Sequence, residues 1–399
     1  MSDWASWLAK QAVERETAHL RRCLVATSAA TEPLSVRDGR ELINLSSNNY
    51  LGLAGHPVLV AAAEESAGRG AGSGSSRLLV GHDPAHAALE EKVAAFKGKD
   101  RALVLGSGYL ANVGVLPSIV DADTDVFSDE FNHASIIDGV RLSRAQRVHR
   151  YRHADADHLD ELLRLSASRS AGRRLIVTNS VFSMDGDVAP LAEIVELKDR
   201  YGAALLIDEA HAGGVYGPQG RGYAHELGLS ERVELIMGTF SKAYGVYGAY
   251  LAAGSDWIEH LVNSCRTLIY STGLPPAVIG AIDAAVDLVA SADDRRRTLH
   301  ERADTLRRRL AAADLDTGAS SAQIVPVIVG ESSAALELGE RLFEAGVLAL
   351  PIREPTVPAG SARLRMSLMA THTQEQLDSV AAVLVNELSA ATSDTIRQP

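Results

Sequence analysis

Cysteine is almost absent from this chain of 399 residues, which has only Cys23 and Cys265, far apart and outside any CxxC pattern. Neither a disulfide framework nor a cysteine-based zinc site is therefore expected, and no metal site is predicted. Uncharged apolar runs of about 18 residues, the length that a membrane span needs, are missing as well. Asp3 and Glu14 interrupt the N-terminus and no long apolar stretch follows a basic start, so we predict no secretory signal and expect a cytoplasmic protein.

Basic residues are outnumbered by acidic ones, with 39 Lys and Arg against 51 Asp and Glu, which gives a net charge of −12. A general nucleic-acid binder needs a basic face, so nucleic acid is not an expected partner, and the missing apolar runs argue against a membrane. Apolar residues, at 46% of the total, suffice for a sizeable core and exclude wholesale disorder. The length suits one large domain and a smaller one.

Lysine is rare, because only six of the 39 basic residues are lysines. Lys242 follows a predicted strand, in a loop bracketed by Gly238 and Gly245. A lysine at a strand end can have its pKa lowered by burial and then form a Schiff base, or it can simply contact a phosphate, and the loop by itself favours neither interpretation. The other five lie in the N-terminal arm or in predicted helices, where we expect solvated surface charges: Lys10, Lys92, Lys97, Lys99 and Lys198.

Short apolar strands alternate with helices through the middle of the chain. Strands are predicted at 101–106, 175–182, 203–211 and from 235, with helices between them. This alternation predicts an α/β fold with a mostly parallel sheet covered on both faces, which binds ligands beyond the carboxyl ends of its strands. The domains that we expect are an N-terminal arm and segment over 1–55, a large domain over 56–285 and a smaller C-terminal α/β domain over 286–399.

Several polar residues fall at strand ends, and each has two interpretations. Asp208 ends the strand ALLID, where a carboxylate is costly to bury unless it is paired, so it either binds a cationic ring nitrogen or caps the next helix. His133, after the strand DVFSD, either stacks on a planar cofactor or is structural. The segment GSGY, 106–109, opens a helix whose N–H groups could hold a phosphate. Arg363 and Arg365 share one face of the strand RLRMSL, and periodicity does not choose which of them would bind a carboxylate.

These pieces occur together in one known family. The strand-ending Asp208, with His211 three residues on and TFSK about 30 residues later, is preceded by the motifs GSGYLAN and NHASIIDG. In this order they resemble the α-oxoamine synthases, which are fold-type I enzymes dependent on pyridoxal 5'-phosphate, and the resemblance spans about residues 21–373. It implies a large domain that binds the cofactor, a smaller C-terminal α/β domain and a homodimer with shared active sites.

The resemblance implies a role for each matching position. Lys242 matches the lysine that carries the cofactor, and Asp208 matches the carboxylate at its pyridine nitrogen. His133 matches the histidine stacked on its ring, and His211 the one near its ring hydroxyl. Further cofactor contacts are implied at Gly108, Tyr109, Ser183, Thr239, Ser241 and Thr272, of which Thr272 reaches the phosphate from the other subunit. Substrate-side positions are implied at Arg21, Asn48, Thr356 and Arg365, with Arg365 holding the carboxylate of the amino acid.

The implied reaction is a decarboxylating condensation of an amino acid, L-alanine, with an acyl thioester carried by CoA or by an acyl carrier protein. The motifs SSNNYLGL and PTVPAGSARLRMSL are most similar to those of the biotin-pathway members, which use a pimeloyl thioester. NHASIIDGVRL is shared with members that join glycine to acetyl-CoA, and a natural-product synthase with another acyl chain is a further alternative. A non-catalytic module is disfavoured because Lys242, Asp208 and His133 are all present, and a nicotinamide oxidoreductase because no strand is followed by GxGxxG.

The chain departs from the family pattern beside these motifs, at Tyr244, Tyr247, Asn179, Ser180 and Gly213. None of these positions carries a catalytic group in the family, so the departures bear on the acyl substrate and not on the type of reaction. We expect Tyr244 and Tyr247 to pack beneath the lysine loop rather than to narrow an acyl channel.

Overall fold

The computed structural model describes residues 3–169 and 172–395, with side chains as far as Leu388. The first two residues of the predicted arm and the last four of the predicted small domain lie outside the described residues. Within these ranges the chain forms 13 strands: β1 (Leu34–Arg37), β2 (Arg40–Asn44), β3 (Arg101–Leu105), β4 (Thr124–Asp129), β5 (Arg147–Tyr151), β6 (Arg173–Asn179), β7 (Ala204–Asp208), β8 (Leu235–Thr239), β9 (Ala249–Ala253), β10 (Ile324–Gly330), β11 (Val347–Leu348), β12 (Pro351–Ile352) and β13 (Ala362–Ser367).

The same residues form 14 α-helices: α1 (Trp4–Thr17), α2 (Pro57–Ala67), α3 (Pro84–Lys97), α4 (Gly108–Ile119), α5 (Ala134–Leu142), α6 (Ala156–Arg169), α7 (Leu191–Tyr201), α8 (Tyr223–Glu226), α9 (Ser255–Ser264), α10 (Arg266–Ile269), α11 (Pro276–Ala290), α12 (Asp293–Ala311), α13 (Ser332–Glu344) and α14 (Gln374–Thr395). None of the described helices combines the length and the apolar character that crossing a bilayer requires.

These elements belong to two compact units. The large unit comprises Asn49–Ser183 and Asp187–Thr298. The small unit comprises the chain up to Asn48, the short segment Met184–Gly186 and the chain from Leu299. The division falls at residues 48 and 298, where the sequence suggested 55 and 285, and the N-terminal segment belongs to the same unit as the C-terminal part of the chain.

The large unit is built on a seven-stranded sheet with the order β3-β9-β8-β7-β6-β4-β5. Strands β5, β4, β6, β7 and β8 pair in parallel, and β9 runs antiparallel to both β8 and β3. The predicted mostly parallel sheet is therefore confirmed. The register places Asn179 of β6 opposite Asp208 of β7, so the carboxyl ends of these strands lie side by side.

Both faces of this sheet are buried, which explains why its central strands have no alternating polar residues. In β7, Leu206 packs into one apolar cluster, while Leu205 and Ile207 pack into the cluster on the other face. Helices α4, α5 and α9 contribute to the first cluster, and α6 and α7 to the second. Each fully buried Leu or Ile side chain contributes roughly 1.5–3 kcal/mol to folding. This core holds the strand ends, and the residues on them, in fixed positions.

The small unit contains two three-stranded sheets. In one, β13 lies between β10 and β12 and pairs antiparallel with both. In the other, β2 pairs antiparallel with β1 and parallel with β11. The pairing of β2 with β11 explains why the N-terminal segment belongs with the C-terminal part of the chain. The strand predicted at RLRMSL is β13, in which every side chain is buried.

The expectation that five of the lysines are solvated surface charges is wrong for Lys97 and Lys198. Lys97, at the end of α3, is fully buried, and its Nζ lies 2.8 Å from the equally buried Oε2 of Glu209. It also donates to the backbone carbonyl of Arg221, while the other oxygen of Glu209 accepts from the N–H of Ala224 at 2.9 Å. Lys198 Nζ lies 2.5 Å from Oε1 of Glu234. Burial is tolerated because each ammonium is paired with a carboxylate.

Replacing Lys97 by Met should destabilise the fold strongly, because it leaves the Glu209 carboxylate buried without its counter-ion. We expect the free energy of unfolding, measured by urea denaturation, to fall by about 3–5 kcal/mol. The double variant Lys97→Met/Glu209→Gln should recover much of this loss, since both charges are then removed.

Lys92→Met is the matched control. The Nζ of Lys92 pairs with Asp283 and Asp287 at 3.1 and 2.8 Å, but the two carboxylates remain largely solvated. A pair of this kind contributes about 0–1 kcal/mol. Equal losses in Lys92→Met and Lys97→Met would contradict the importance of the buried pair.

Candidate active site

The predicted catalytic residues of the large unit lie on or next to the carboxyl ends of its parallel strands. Asp208 is the last residue of β7, and Thr239 is the last residue of β8. Lys242 follows β8 by three residues, in the turn where Gly245 donates its N–H to the carbonyl of Lys242 at 2.9 Å. His133 follows β4 and caps the N-terminus of α5. The parallel sheet thus brings together residues that are far apart in the sequence.

Lys242 and His211 are in direct contact. Lys242 Nζ lies 2.9 Å from Nε2 of His211, and the opposite ring nitrogen, Nδ1, lies 2.6 Å from the hydroxyl of Tyr50. His211 and Tyr50 are buried. The imidazole is therefore held between a phenol and a primary amine, an arrangement that orients the amine and offers it a proton acceptor or donor.

Asp208 is buried, with 2% of its surface exposed, and both carboxylate oxygens accept hydrogen bonds. Oδ2 accepts from the side-chain amide of Asn112, and Oδ1 from the backbone N–H of Ala210, each at 2.9 Å. The bond from Ala210 is a local capping interaction, which is one of the two roles that the sequence suggested for Asp208. The bond from Asn112, which lies on α4, is a tertiary contact that the sequence did not predict.

His133 is anchored by three hydrogen bonds. Its backbone N–H donates to Oδ1 of Asn179 at 2.9 Å, and Nδ1 lies 2.7 Å from the hydroxyl of Ser135 and 3.3 Å from its N–H. Although the residue remains exposed to solvent, desolvation by the surrounding protein lowers the pKa of His133, opposed by Asp208 and assisted by Lys242. The ring is therefore neutral at physiological pH.

The N-terminus of α4 and the end of β8 supply hydrogen-bond donors of the kind that phosphate requires. The cap residue Ser107 accepts from the N–H of Leu110 at 3.2 Å. Among the described residues, none accepts a hydrogen bond from the backbone N–H of Gly108 or Tyr109. These two groups are therefore available to an anion.

Two hydroxyl groups accompany these N–H groups in the large unit. Thr239 Oγ1 lies 2.8 Å from Oγ of Ser241 and also bonds the carbonyl of Gly248 at 2.8 Å. The Tyr109 phenol, in contrast, donates to Oδ2 of Asp138 at 2.7 Å, and its side chain is largely exposed. Because its phenol is bonded to Asp138, Tyr109 can offer a phosphate only its backbone N–H group.

Two further predicted cofactor contacts lie in loops of the large unit. Ser183 follows β6 and is half-buried. Thr272 precedes α11 and is exposed, and it forms an isolated antiparallel bridge with Ser76 in the Gly/Ser-rich loop. The N–H of Gly273 donates to the carbonyl of Ser75 at 2.9 Å, which fixes the two segments together.

The predicted substrate-side residues lie in the small unit. Arg365 donates to Oδ1 of Asn48 from both terminal nitrogens at 3.1 Å and to the hydroxyl of Ser367 at 2.6 Å. Arg363, two residues earlier on β13, forms an ion pair with Asp185 and is thereby committed to a structural contact. The two arginines that periodicity could not distinguish therefore have different neighbours.

Arg21 and Thr356, the other two predicted substrate-side residues, are both exposed. The guanidinium of Arg21 lies 3.5 Å from a carboxylate oxygen of Glu16. Arg21 is one of the residues that line a groove of about 1580 Å³ in the small unit, together with Phe343 and Arg353. Arg353 donates to the backbone carbonyl of Arg21 at 3.3 Å and so fixes this part of the N-terminal segment.

Four residues that contact the predicted catalytic groups were not assigned a role from the sequence: Tyr50, Asn112, Ser135 and Asn179. Tyr50 and Asn112 lie within the quoted motifs SSNNYLGL and GSGYLAN, and Asn179 was noted only as a departure from the family pattern. The sequence feature that could have identified these residues is a polar side chain inside an otherwise apolar helix or strand end. The partners of Tyr50, Asn112 and Asn179 could not be inferred, because these contacts join segments that are distant in the sequence, whereas Ser135 lies two residues from its partner His133.

The expectation that Tyr244 and Tyr247 pack beneath the lysine loop is correct only for Tyr244. Tyr244 is 1% exposed and meets the ring of Phe240 edge-on at 5.3 Å. Tyr247 is 54% exposed. Of these two departures, only Tyr247 presents its side chain to solvent.

One histidine–carboxylate cluster of the large unit has a spacing suitable for a cation. The ligand atoms of His82, His86 and Glu90 lie within 4.8 Å of one another. The guanidinium of Arg77 already occupies this position, 3.1 Å from Nδ1 of His82 and 2.7 Å from Oε2 of Glu90. A metal ion would have to displace this cation, so the cluster is better described as a structural ion pair.

His153 joins Asp129, the last residue of β4, to Asp187 in the loop after β6. His133 and Ser183 lie close to these two carboxylates in the sequence. Nδ1 of His153 lies 3.0 Å from Asp129, and Nε2 lies 2.7 Å from Asp187. Burial alone would lower the pKa of His153, but the hydrogen bonds to both carboxylates raise it to about 10. The imidazolium therefore acts as a clamp between two acidic side chains at neutral pH.

Replacing His153 by Gln should destabilise the protein in a pH-dependent manner. The folded-state pKa lies above the unfolded value of about 6.5, so the stabilisation is fully present below pH 6.5 and is lost as the pH rises through 10. We expect a loss of about 3 kcal/mol at pH 6, measured by urea denaturation, that diminishes toward pH 10. The control is His260→Gln, which removes an exposed histidine of α9. A difference that grows between pH 6 and pH 10 would contradict the clamp.

Comparison with known proteins found a matching family model and similar proteins. A family model described as aminotransferase class I and II matches residues 40–384. A putative 8-amino-7-oxononanoate synthase of Geobacillus kaustophilus is 49% identical over 346 residues, 86% of this chain and 88% of that protein. The 8-amino-7-oxononanoate synthase of Geobacter sulfurreducens is also 49% identical, over 368 residues, 92% of this chain and 93% of that protein.

Solved structures with a similar fold are found as well. A serine palmitoyltransferase from S. paucimobilis, solved with bound PLP–myriocin aldimine, superposes with a TM-score of 0.91. The superposition covers 98% of this chain and 100% of that chain, at 29% sequence identity.

Proposed function

This chain belongs to the aminotransferase class I and II family, and we propose that it condenses L-alanine with a pimeloyl thioester to form 8-amino-7-oxononanoate, carbon dioxide and the free thiol, a step of biotin biosynthesis. The observation that carries the proposal is the contact of Lys242 with His211 beside a buried Asp208 in a chain 49% identical to named synthases. The expected fold-type I architecture is confirmed.

Pyridoxal phosphate is the cofactor, and the donor set of the large unit fits it. Lys242 supplies a primary amine, and Asp208 supplies a buried carboxylate for a cationic ring nitrogen. For the phosphate there are the N–H groups of Gly108 and Tyr109 and the hydroxyls of Thr239 and Ser241. Backbone N–H groups at a helix N-terminus are a favourable environment for such an anion.

We assign the remaining cofactor contacts by resemblance. His133 would stack on the ring and His211 would lie near its hydroxyl, consistent with the neutral state of His133 and with the contact between His211 and Lys242. Ser183 would contribute a hydroxyl contact, and Thr272 would reach the phosphate from the other subunit.

When bound, pyridoxal phosphate supplies an electron sink for the negative charge that develops at the α-carbon of the amino acid. Asp208 would hold a proton at the ring nitrogen, and the N–H groups of Asn112 and Ala210 position its carboxylate by donating to both oxygens. The amine of Lys242, held by His211, removes the α-proton and later returns a proton to the product.

The condensation forms a carbon–carbon bond between the α-carbon and the acyl carbonyl, and it releases the thiol and the amino-acid carboxylate as carbon dioxide. Arg365 would hold that carboxylate until it leaves, because a guanidinium binds it with two parallel hydrogen bonds. Asn48, which accepts from both terminal nitrogens of Arg365, orients the guanidinium. We assign Arg21 and Thr356 to substrate contacts by resemblance alone.

The reaction takes place in the cytoplasm in this proposal. Both cysteines of the chain are unpaired, with Cys23 exposed and Cys265 buried. Unpaired cysteines are consistent with a reducing compartment. The acyl carrier is either CoA or an acyl carrier protein.

We also propose that the active unit is a homodimer with shared active sites. Thr272 is exposed, and through its bridge to Ser76 it lies beside a loop with exposed apolar side chains. In that loop Leu79 is 77% and Val80 is 83% exposed. Apolar side chains that project in this way are typical of protein–protein contacts.

Mixing two inactive variants tests the shared site. Lys242→Ala removes the lysine of one chain, and Thr272→Val removes the hydroxyl that the other chain would contribute. If each variant is strongly impaired alone, a heterodimer contains one intact site, and part of the activity should return. An absence of any recovery, with heterodimers detected by native mass spectrometry, would contradict the shared site.

The function is tested by kcat/KM for pimeloyl-CoA and acetyl-CoA, each with L-alanine and with glycine, and by mass spectrometry of the products. We expect L-alanine with the pimeloyl thioester to give the highest value and a product with the mass of 8-amino-7-oxononanoate. A higher value for glycine with acetyl-CoA would overturn the proposal in favour of the 2-amino-3-oxobutyrate CoA ligase reaction. Pimeloyl carrier protein, compared with pimeloyl-CoA, identifies the carrier.

Borohydride reduction and peptide mapping provide the control for this experiment. The cofactor should be recovered on Lys242, and Lys242→Ala should give no product with any thioester. If the label is on Lys242 but neither thioester reacts, the cofactor assignment stands, and the acyl substrate belongs to a natural-product synthase with another chain.

A further inference from the structure

A continuous chain of buried polar side chains connects Asp208 with His133 in the large unit. The side-chain amide nitrogen of Asn112 lies 2.9 Å from Oδ2 of Asp208 and 2.9 Å from Oγ of Ser135. Ser135 Oγ in turn lies 2.7 Å from Nδ1 of His133. Asn112 and Ser135 are both buried, with exposed fractions of 1% and 0%. Because Asn112 and Ser135 are shielded from solvent, the donors and acceptors of these bonds can be assigned one after another.

The assignment starts at Asp208, because an ionised carboxylate only accepts hydrogen bonds. The side chain of Asn112 must therefore present its NH₂ group and not its oxygen to Asp208. An NH₂ group has two hydrogens, and the second is directed to the hydroxyl oxygen of Ser135. Ser135 Oγ is thus an acceptor toward Asn112.

The hydroxyl of Ser135 has one hydrogen, and the remaining neighbour of Oγ is Nδ1 of His133. The backbone N–H of Ser135 also points to Nδ1, at 3.3 Å. We propose that Asn112 and Ser135 are positioning residues that hold His133 as the neutral tautomer with its proton on Nε2. His133 then offers a hydrogen-bond donor to an oxygen of the substrate, a carboxylate or an acyl carbonyl, and does not act as a base.

The other tautomer is disfavoured by the same contacts. With a proton on Nδ1, Ser135 Oγ would accept two hydrogen bonds, and its own hydrogen would have no acceptor among the described residues. The N–H of Ser135 would also face the N–H of the ring. An unsatisfied donor in a buried position is costly. Desolvation and the charge of Lys242 lower the pKa of His133 and so oppose the doubly protonated ring, although Asp208 and Asp138 favour it.

The inference rests on the proposed function only for the identity of the oxygen that His133 contacts. The tautomer itself is read without turnover, from the ¹⁵N chemical shifts of the holoenzyme labelled at histidine. His133→Asn identifies the two nitrogen resonances of His133 by their loss. We expect a pyridine-like Nδ1 and a pyrrole-like Nε2 at pH 7. A pyrrole-like Nδ1 in the wild-type protein would overturn the proposal, whatever substrate the enzyme uses.

Two variants test the part played by the positioning residues. Ser135→Ala removes the hydroxyl donor and Asn112→Ala removes the donor that orients it, so in both the His133 resonances should move toward the average of the two tautomers. Ser180→Ala is the matched control, because it removes another buried hydroxyl of the large unit, one that bonds the carbonyl of Asp208 at 3.3 Å. Unchanged His133 resonances in Ser135→Ala and Asn112→Ala would exclude Asn112 and Ser135 as the groups that set the tautomer.

Discussion

A carboxylate at the end of a buried apolar strand is stable only when its oxygens are hydrogen-bonded, and Asp208 imposes this constraint on the site. The parallel sheet creates the position, because β7 ends there between β6 and β8. Asn112 on α4 and the N–H of Ala210 satisfy it. The location of α4 is therefore coupled to the carboxylate, and the N-terminus of the same helix carries the N–H groups of Gly108 and Tyr109, which have no acceptor within the described part of the chain.

The next residue, Glu209, meets the same constraint in a different way. Its carboxylate is fully buried, with Lys97 and the N–H of Ala224 as partners. Asp208 accepts hydrogen bonds from neutral groups, whereas Glu209 is neutralised by an ammonium. In the proposed function the carboxylate of Asp208 pairs with a cationic ring nitrogen, whereas Glu209 fixes the chain beyond the strand through Lys97.

The sequence allowed the fold to be predicted well where the signal is local. Apolar strands between helices indicated the parallel sheet, and Asp208 and Lys242 were placed at its carboxyl edge because strand ends are recognisable. The burial of Lys97 was not predictable in this way, since its partner Glu209 is 112 residues away. Asn112 was missed for the same reason, since Asp208 is 96 residues away. Contacts between distant segments depend on packing, and residue periodicity contains no information about them.

Packing also explains one departure from the family pattern. Tyr250 lies against Gly213 and Gly238, since a Cβ at Gly213 would be 3.1 Å from the hydroxyl of Tyr250 and a Cβ at Gly238 would be 2.3 Å from its ring. Tyr250 also lies under the ammonium of Lys97 at 5.3 Å, and together with Phe240 and Tyr244 it forms an aromatic cluster beneath the Lys242 loop. The absence of a side chain at Gly213 therefore leaves room for the hydroxyl of Tyr250. Tyr244 is buried in this cluster, so it supports the loop that carries Lys242.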